Sequence, residues 1–181
     1  MRNILVTGTP GTGKTTIAKK LAKKLNYFYL DFNNVISKNK LYEGYDRKRR
    51  SKIVDIRKLN RFLIKEIGFF KKYGFIEIAP MSSASSTRIS AKSSIKKITL
   101  NKKPSKNIKK YNGIIIDSHL SHYLPRKYAD LCIVAKCSIE EMNNRLKKKK
   151  FHKNKIQENI QAEIFDVCLN EAKERKHKII T

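Results

Sequence analysis

The sequence predicts an α/β fold in which a parallel sheet of about five strands is covered by helices on both faces. Short apolar runs at 4–6, 113–117 and 131–135 are typical of strands buried on both sides. Around them, 16–25 and 55–72 carry apolar residues at helical spacing. This alternation favours a three-layer parallel arrangement. A length of 181 residues with 40% apolar content is enough for one core, so we expect a single domain.

The first half of the chain reads as strand, loop, helix, strand and helix. The run at 4–6 ends in a glycine-rich stretch, and the amphipathic helix at 16–25 follows it. Tyr27 to Leu30 predicts a second short strand, and a polar, aromatic segment follows at 41–46. The next helix is expected to end at Gly74.

The second half begins with a segment of different composition. At 80–110 serine and lysine dominate and the few apolar residues keep no sustained period, which predicts a basic low-complexity insertion. After the two later strands, Ser138 is expected to begin a helix whose first turn contains Glu140 and Glu141. One long helix is predicted at 154–175, and 178–181 begins a final strand.

The net charge of +27 is extreme for a chain of this length. Such a charge attracts any polyanion, RNA included, through counterion release and long-range steering. The base composition of the genome accounts for it equally well, because the excess is mostly lysine and the codons of lysine and asparagine are A-rich. Both explanations stay open.

No apolar stretch approaches the roughly 18 residues that a membrane span needs. The chain also runs directly into its first strand without the pattern of a signal peptide. We therefore expect a soluble intracellular protein with no membrane partner. Three cysteines, Cys132, Cys137 and Cys168, lack the spacing of a zinc site or a disulfide framework, and we interpret them as buried thiols.

The stretch 8–15, with the sequence GTPGTGKT, matches the pattern of a phosphate-binding loop at every required position. Glycines such as Gly11 and Gly13 let the backbone curl around phosphate oxygens with its N–H groups pointing inward. Lys14 then reaches the β and γ phosphates, and the Thr15 hydroxyl binds Mg²⁺. The loop lies between a predicted strand and a predicted helix, so the sequence predicts a site for Mg²⁺ and ATP.

Asp117 ends the most apolar strand, where a parallel α/β sheet places ligand-binding side chains. A carboxylate there holds Mg²⁺ through water or orients a nucleophile. The alternative is that Asp117 caps the following helix. His119 lies two residues further on and is expected at the rim of the same site, or else on the surface without a role.

A cluster of basic residues, Arg145 and Lys147 to Lys150, lies between two predicted helices. This position suits a mobile lid that closes on triphosphate charge and excludes water during transfer. Lysines alone indicate only a solvated surface. Their place after the strand at 131–135 favours the lid.

With these motifs in place, the chain resembles the adenylate kinase isoenzyme 6 family, also known as the coilin-interacting nuclear ATPase family. The resemblance rests on 8–16, on LYEGYD at 41–46, on IDSH at 116–119 and on NIQAEIF at 159–165. It covers nearly all of the chain except the basic insertion.

The resemblance implies a small nucleotide kinase, one P-loop kinase domain over 1–181 with two mobile elements. These are an acceptor-monophosphate-binding segment at 31–54 and a lid at 148–158. Members interconvert ATP plus AMP and two ADP, and they hydrolyse ATP slowly. The family is also implied in maturation of the small ribosomal subunit through contact with a ribosomal protein, and it is found in the nucleus and cytoplasm.

The resemblance also implies roles for individual residues. Asp117 and His119 match the pair that organises water and metal. The residues that match the family's ATP-phosphate ligands are Gly11, Gly13, Lys14, Thr15 and Thr16.

Three departures from the family pattern matter. Lys149 falls where the family has its lid arginine, which keeps the charge but loses the planar fork. Ser37 falls where an arginine is expected in the acceptor segment, with Lys38 beside it, and this weakens the assignment of AMP as the acceptor. Thr181 ends the sequence where the family's last core strand begins, so the adenine-contacting loop and the closing helix are expected to be absent.

The leading functional prediction is in-line phosphoryl transfer from Mg²⁺-ATP to a nucleoside monophosphate. Lys14, Mg²⁺, Arg145 and Lys149 are expected to neutralise the charge of the transferred group. One alternative is an ATP-driven assembly factor for the small ribosomal subunit, in which nucleotide turnover gates binding to rRNA and protein. A kinase for a different small acceptor is the other.

Overall fold

The structure is a computed structural model that describes residues 2–47, 51–73, 77–78, 108–109 and 111–181. The strands are β1 (Arg2–Thr7), β2 (Phe28–Asp31), β3 (Tyr42–Asp46), β4 (Ser51–Val54), β5 (Glu77–Ile78), β6 (Ile108–Lys109), β7 (Gly113–Asp117), β8 (Leu131–Val134) and β9 (Ile179–Ile180). The α-helices are α1 (Lys14–Leu25), α2 (Phe32–Lys38), α3 (Ile56–Tyr73), α4 (Ile139–Lys148), α5 (Lys153–Ile164) and α6 (Val167–Glu174). Two short 3₁₀ helices cover Ser121–Tyr123 and Arg126–Tyr128.

Five strands form a parallel sheet in the order β2, β7, β1, β8, β9. β1 lies in the centre, with Val6 opposite Asp117 on one side and opposite Ile133 on the other. The predicted fold class is therefore confirmed. Because all five strands run the same way, their carboxyl ends meet at one edge, where a ligand site is expected.

Helices cover both faces of the sheet. Successive side chains of a strand point to opposite faces, and apolar side chains on each face must be buried. Ile4 and Val6 of β1 pack with Ala18 and Ala22 of α1 on one face. Leu5, whose side chain points the other way, belongs to the core on the opposite face. That core also holds buried residues of α3 and α6, namely Leu59, Leu63, Ile67 and Ala172. Every residue of β7 is buried, which explains its continuous apolar sequence.

The segment at 31–54 contains a short helix and a hairpin. Asp31 caps α2, since its carboxylate accepts a hydrogen bond from the Asn34 N–H at 3.2 Å. β3 and β4 then pair antiparallel, with a register shift between Tyr42 and Gly44. This hairpin was not predicted, because its residues alternate between exposed and half-buried and give no apolar run.

The prediction of one long helix at 154–175 is wrong. The structure divides it into α5 and α6, and the break lies at Phe165 and Asp166. Asp166 has a left-handed backbone with a φ of 53°, which interrupts the helical hydrogen bonds. Its carboxylate forms an ion pair with Lys136, in the loop after β8.

The predicted basic insertion at 80–110 lies outside the described residues except for β6, which pairs antiparallel with β5. Within the described ranges, no helix combines the length and the apolar character needed to cross a bilayer. The three cysteines are free; Cys132 is buried as expected, whereas Cys137 and Cys168 are half-buried.

Candidate active site

The phosphate-binding loop connects β1 to α1 at the carboxyl edge of the sheet. Gly8, Gly11 and Gly13 have φ angles of 133°, 102° and 90°, a region that side-chain-bearing residues rarely adopt. A Cβ atom on Gly8 would lie 2.4 Å from the Ala135 carbonyl oxygen. The glycines therefore serve both the curvature of the loop and its close packing on the end of β8.

Lys14 is buried within this loop, where its ammonium donates to the Thr9 carbonyl at 2.9 Å. The Thr12 hydroxyl donates to the same oxygen, also at 2.9 Å. Burial lowers the pKa of Lys14 to about 8, against partial compensation from acidic neighbours such as Asp117. Phosphate oxygens are the stronger partner for this desolvated cation. Thr15 and Thr16 follow on the exposed face of the first turn of α1.

Asp117 is buried at the end of β7, directly beside β1. The Tyr29 hydroxyl donates to Asp117 Oδ2 at 2.9 Å. Burial and the Asp117 carboxylate raise the pKa of Tyr29 above its ordinary value. Asp117 Oδ1 is buried without a partner among the described residues. The 3₁₀ helix that follows has no side-chain cap, so the alternative role of Asp117 as a helix cap is not supported.

The Asp117 and Thr15 side chains fit a magnesium ion. The described residues contain no cluster of three or more His, Cys, Asp or Glu side chains suited to a metal. Mg²⁺ needs no such cage in phosphate chemistry, because it keeps several waters and takes one or two protein oxygens plus substrate phosphates. A buried carboxylate oxygen without a partner among the described residues, together with the exposed Thr15 hydroxyl at the start of α1, is a donor set of that kind.

His119 lies on the rim between two cavities and lines both of them. Its side chain is exposed in the open cleft, yet the protein atoms around it still disfavour the charged ring. This desolvation, together with repulsion from Lys14, lowers the pKa of His119 to about 4. The ring is therefore neutral near pH 7 and can accept a hydrogen bond from a water or hydroxyl group.

The two predicted lid residues occupy different positions. Arg145 in α4 donates to the Gly11 carbonyl at 3.1 Å and forms an ion pair with Glu141, so it contacts the backbone of the phosphate-binding loop. Lys149 is the C-terminal cap of α4, directly after Lys148. It lines the larger cavity together with Lys150 and the first residues of α5. The structure thus brings Lys149 to the cavity and Arg145 to the outer side of the loop.

A buried network beside the loop was not predicted. The Thr7 hydroxyl donates to His122 Nδ1 at 2.7 Å, and His122 Nε2 donates to Glu171 Oε2 at 2.8 Å. We assign this tautomer from the partners, and it suits a neutral ring whose pKa burial lowers. The Tyr123 hydroxyl donates to Glu171 Oε1 at 2.8 Å. The sequence signal was weak, because Glu171 is 49 residues from His122 along the chain.

Two adjoining cavities open at this edge of the sheet. The larger, of about 980 Å³, lies between the phosphate-binding loop at Thr9 and Pro10 and the lid residues 149–155. The smaller, of about 340 Å³, lies between α2 and β4. They share Asn33, Ser51, His119 and Leu120. One cavity thus adjoins the phosphate-binding loop at Thr9 and Pro10, and the other is continuous with it across the rim formed by His119.

The fold and the loop together define the class. A parallel sheet whose central strand leads through such a loop into a helix is the framework of the P-loop nucleotide-binding proteins, a class that includes ATP-dependent kinases. The profile of an AAA domain family, AAA_18, matches residues 4–166.

Relatives narrow this class. A protein of Methanocaldococcus jannaschii named "Putative adenylate kinase" is 34% identical over 98% of this chain and 76% of its own length. An adenylate kinase isoenzyme 6 homolog of Caenorhabditis elegans is 26% identical over 95% of this chain and 72% of its own. The chain belongs to the adenylate kinase isoenzyme 6 family, and it is a nucleotide kinase of the adenylate kinase type.

Among solved structures, a shikimate kinase from Acinetobacter baumannii aligns with a TM-score of 0.48 and 13% sequence identity. The alignment covers 100% of this chain and 83% of the shikimate kinase chain.

Proposed function

We propose that the protein transfers the γ-phosphoryl group of Mg²⁺-ATP to a nucleoside monophosphate, most readily AMP, and yields two nucleoside diphosphates. The observation that carries this proposal is the pair of adjoining cavities that share His119, one beside the phosphate-binding loop and one beside α2. In-line transfer between two bound nucleotides needs two neighbouring sites of this kind.

Each residue has a separate task in this proposal. The backbone N–H groups of Gly11 and Gly13 and the Lys14 ammonium bind the phosphates of ATP. Asp117, held by Tyr29, and the Thr15 hydroxyl would hold Mg²⁺. When bound, Mg²⁺ would supply positive charge that offsets the negative charge developing on the phosphates during transfer.

Lys149 and His119 complete the mechanism at the mouth of the site. Lys149 enters the larger cavity from the lid side and stabilises the transferred group. Neutral His119 orients the attacking phosphate or, without an acceptor, a water molecule. This second use of His119 supports an accompanying slow ATPase activity.

The test is ADP formation from ATP and Mg²⁺ with and without AMP, for the parent and for Lys14→Ala. We expect AMP to stimulate ADP formation in the parent and Lys14→Ala to remove turnover while the circular dichroism spectrum is kept. CMP, UMP and dCMP in the same assay rank the acceptors. ADP formation indifferent to every monophosphate would reject the kinase and leave an ATPase.

The second candidate is an ATP-driven assembly factor for the small ribosomal subunit, which acts in the nucleus and cytoplasm and contacts rRNA and a ribosomal protein. The net charge of +27 favours this role, because it promotes binding to RNA. In that case ATP hydrolysis would gate RNA binding. RNA affinity measured with ATP, with ADP and without nucleotide tests it, and identical affinities would argue against such a gate.

A further inference from the structure

The smaller cavity has a basic side chain, Lys52, on its wall. Of the described residues that line it, Lys52 is the one lysine or arginine. Its side chain projects from β4, opposite Tyr45 of β3, and is exposed. The remaining wall is apolar or neutral and includes Ile36, Val54 and Leu120. A single cation in such a wall gives the cavity a preferred orientation for an anionic ligand.

Neutral groups hold the Lys52 ammonium in place. Lys52 Nζ donates to Ser37 Oγ at 2.8 Å, while the Ser37 hydroxyl donates to the Asn33 carbonyl at 3.0 Å. The Ser37 hydroxyl thus donates its proton to the backbone of α2 and accepts a hydrogen bond from Lys52. The ammonium also lies 4.7 Å from the centroid of the Tyr42 ring, within the range of a cation–π interaction.

Lys58, a nearby lysine, differs from Lys52 in having carboxylate partners. Lys58 Nζ lies 3.5 Å from Glu43 and 3.8 Å from Asp55, so two carboxylates compensate its charge. Within the described part of the chain, no carboxylate lies within ion-pair distance of Lys52. An ammonium has three donors, and Ser37 takes one of them. Lys52 therefore keeps both charge and donors for a ligand.

We infer that Lys52, anchored by Ser37, binds the phosphate of the acceptor nucleotide. This inference rests on the proposed function and names the residue that orients its second substrate. Lys52 brings a positive charge from the neighbouring hairpin to the Ser37 hydroxyl of α2. A lysine acts here as a point charge without the bidentate geometry of arginine. The acceptor class is a nucleoside monophosphate.

The test compares Lys52→Met with the parent by titrating AMP and adenosine in the presence of a non-hydrolysable ATP analogue. Loss of one charge-assisted contact is expected to weaken AMP binding roughly tenfold. Adenosine lacks the phosphate, so its affinity should change little. In steady-state assays the KM for AMP should rise more than the KM for ATP, and Lys52→Arg should restore most of the loss.

Lys58→Met is the matched control, because it removes the charge of a lysine that is already paired with carboxylates. It should leave AMP affinity within about twofold of the parent, since exposed ion pairs contribute little. Equal AMP affinity in the parent and Lys52→Met overturns the inference while the proposed kinase stands. An equal loss for AMP and adenosine also overturns it, because that pattern reports a change of cavity shape. A parent that binds no monophosphate overturns both proposals.

Discussion

At the level of single residues, Asp117 shows how a second side chain prepares a carboxylate for its task. One oxygen accepts from Tyr29 and the other is buried without a protein partner among the described residues. The sequence was sufficient to predict Asp117, because a polar residue after a buried strand is a local signal. Tyr29 could not be predicted, since it lies 88 residues away and only the pairing of β2 with β7 brings the two together.

We expect Tyr29→Phe to weaken the affinity for Mg²⁺. Without the hydroxyl, Asp117 loses the bond that orients it, which costs about 1 kcal/mol or a several-fold rise in the Mg²⁺ concentration for half-maximal turnover. Electron paramagnetic resonance of Mn²⁺ bound with the ATP analogue gives the same quantity without turnover. Tyr27→Phe, a hydroxyl deletion two residues earlier, is the control. Equal metal affinity in Tyr29→Phe and the parent would show that the Tyr29 hydroxyl does not prepare Asp117 for the metal and contributes only to the stability of the fold.

The lowered pKa of Lys14 predicts how the stability of the protein depends on pH. Its pKa of about 8 in the folded chain lies below the ordinary value of 10.5, so between these values the unfolded chain binds more protons. Stability of the nucleotide-free protein should therefore rise with pH through this window. Lys14→Met should flatten that rise between about pH 8 and 9.5 in urea unfolding. ATP affinity should change in the opposite sense and fall above pH 8, since the neutral amine binds phosphate poorly.

At the level of elements, the predicted lid at 148–158 comprises the end of α4, a short turn that carries Lys149 and Lys150, and the first half of α5. The sequence predicted this lid from a run of basic residues after β8, which is a local pattern. The break between α5 and α6 escaped prediction because the apolar spacing continues across Asp166, and only its left-handed backbone separates the two helices. The β3–β4 hairpin escaped because it packs little apolar surface.

We expect Lys149→Arg to raise the rate of phosphoryl transfer several-fold. A guanidinium can bridge two phosphate oxygens, whereas the ammonium makes a single point contact. Single-turnover measurements with saturating ATP and AMP follow the transfer step directly. Lys147→Arg, the same change on an exposed residue of α4, is the control. A rate unchanged or lowered by Lys149→Arg would show that the transferred group relies on Arg145 or another lysine.

At the level of the whole molecule, the parallel sheet and the position of the site follow from the sequence with little ambiguity. Buried parallel strands have continuous apolar runs, and the loop motif identifies the central strand by itself. The excess positive charge has no such structural interpretation. It acts through the field around the molecule, and its effect must be measured with a polyanion.

The predicted basic insertion at 80–110 allows RNA binding by the whole molecule to be tested. Residues 80–107 hold seven basic and no acidic residues, so their replacement by a short glycine-serine linker keeps β5 and β6 while it removes that charge. If the segment binds RNA, the slope of log affinity against log salt should flatten by about 0.7 for each lost phosphate contact. ATP turnover should be unchanged. A salt slope equal to that of the parent would mean that the insertion does not contact RNA.

The His122 network has a use as a natural spectroscopic reporter. Its imidazole is 1% exposed and joins Thr7, at the entrance to the phosphate-binding loop, to Glu171 in α6. The hydrogen bond to a carboxylate moves the resonance of such an N–H proton downfield of the amide envelope, and burial slows its exchange with water enough for the signal to be observed. Because Thr7 immediately precedes the phosphate-binding loop, we expect nucleotide binding to change the position of this resonance. A one-dimensional spectrum of the unlabelled protein would then report occupation of the site.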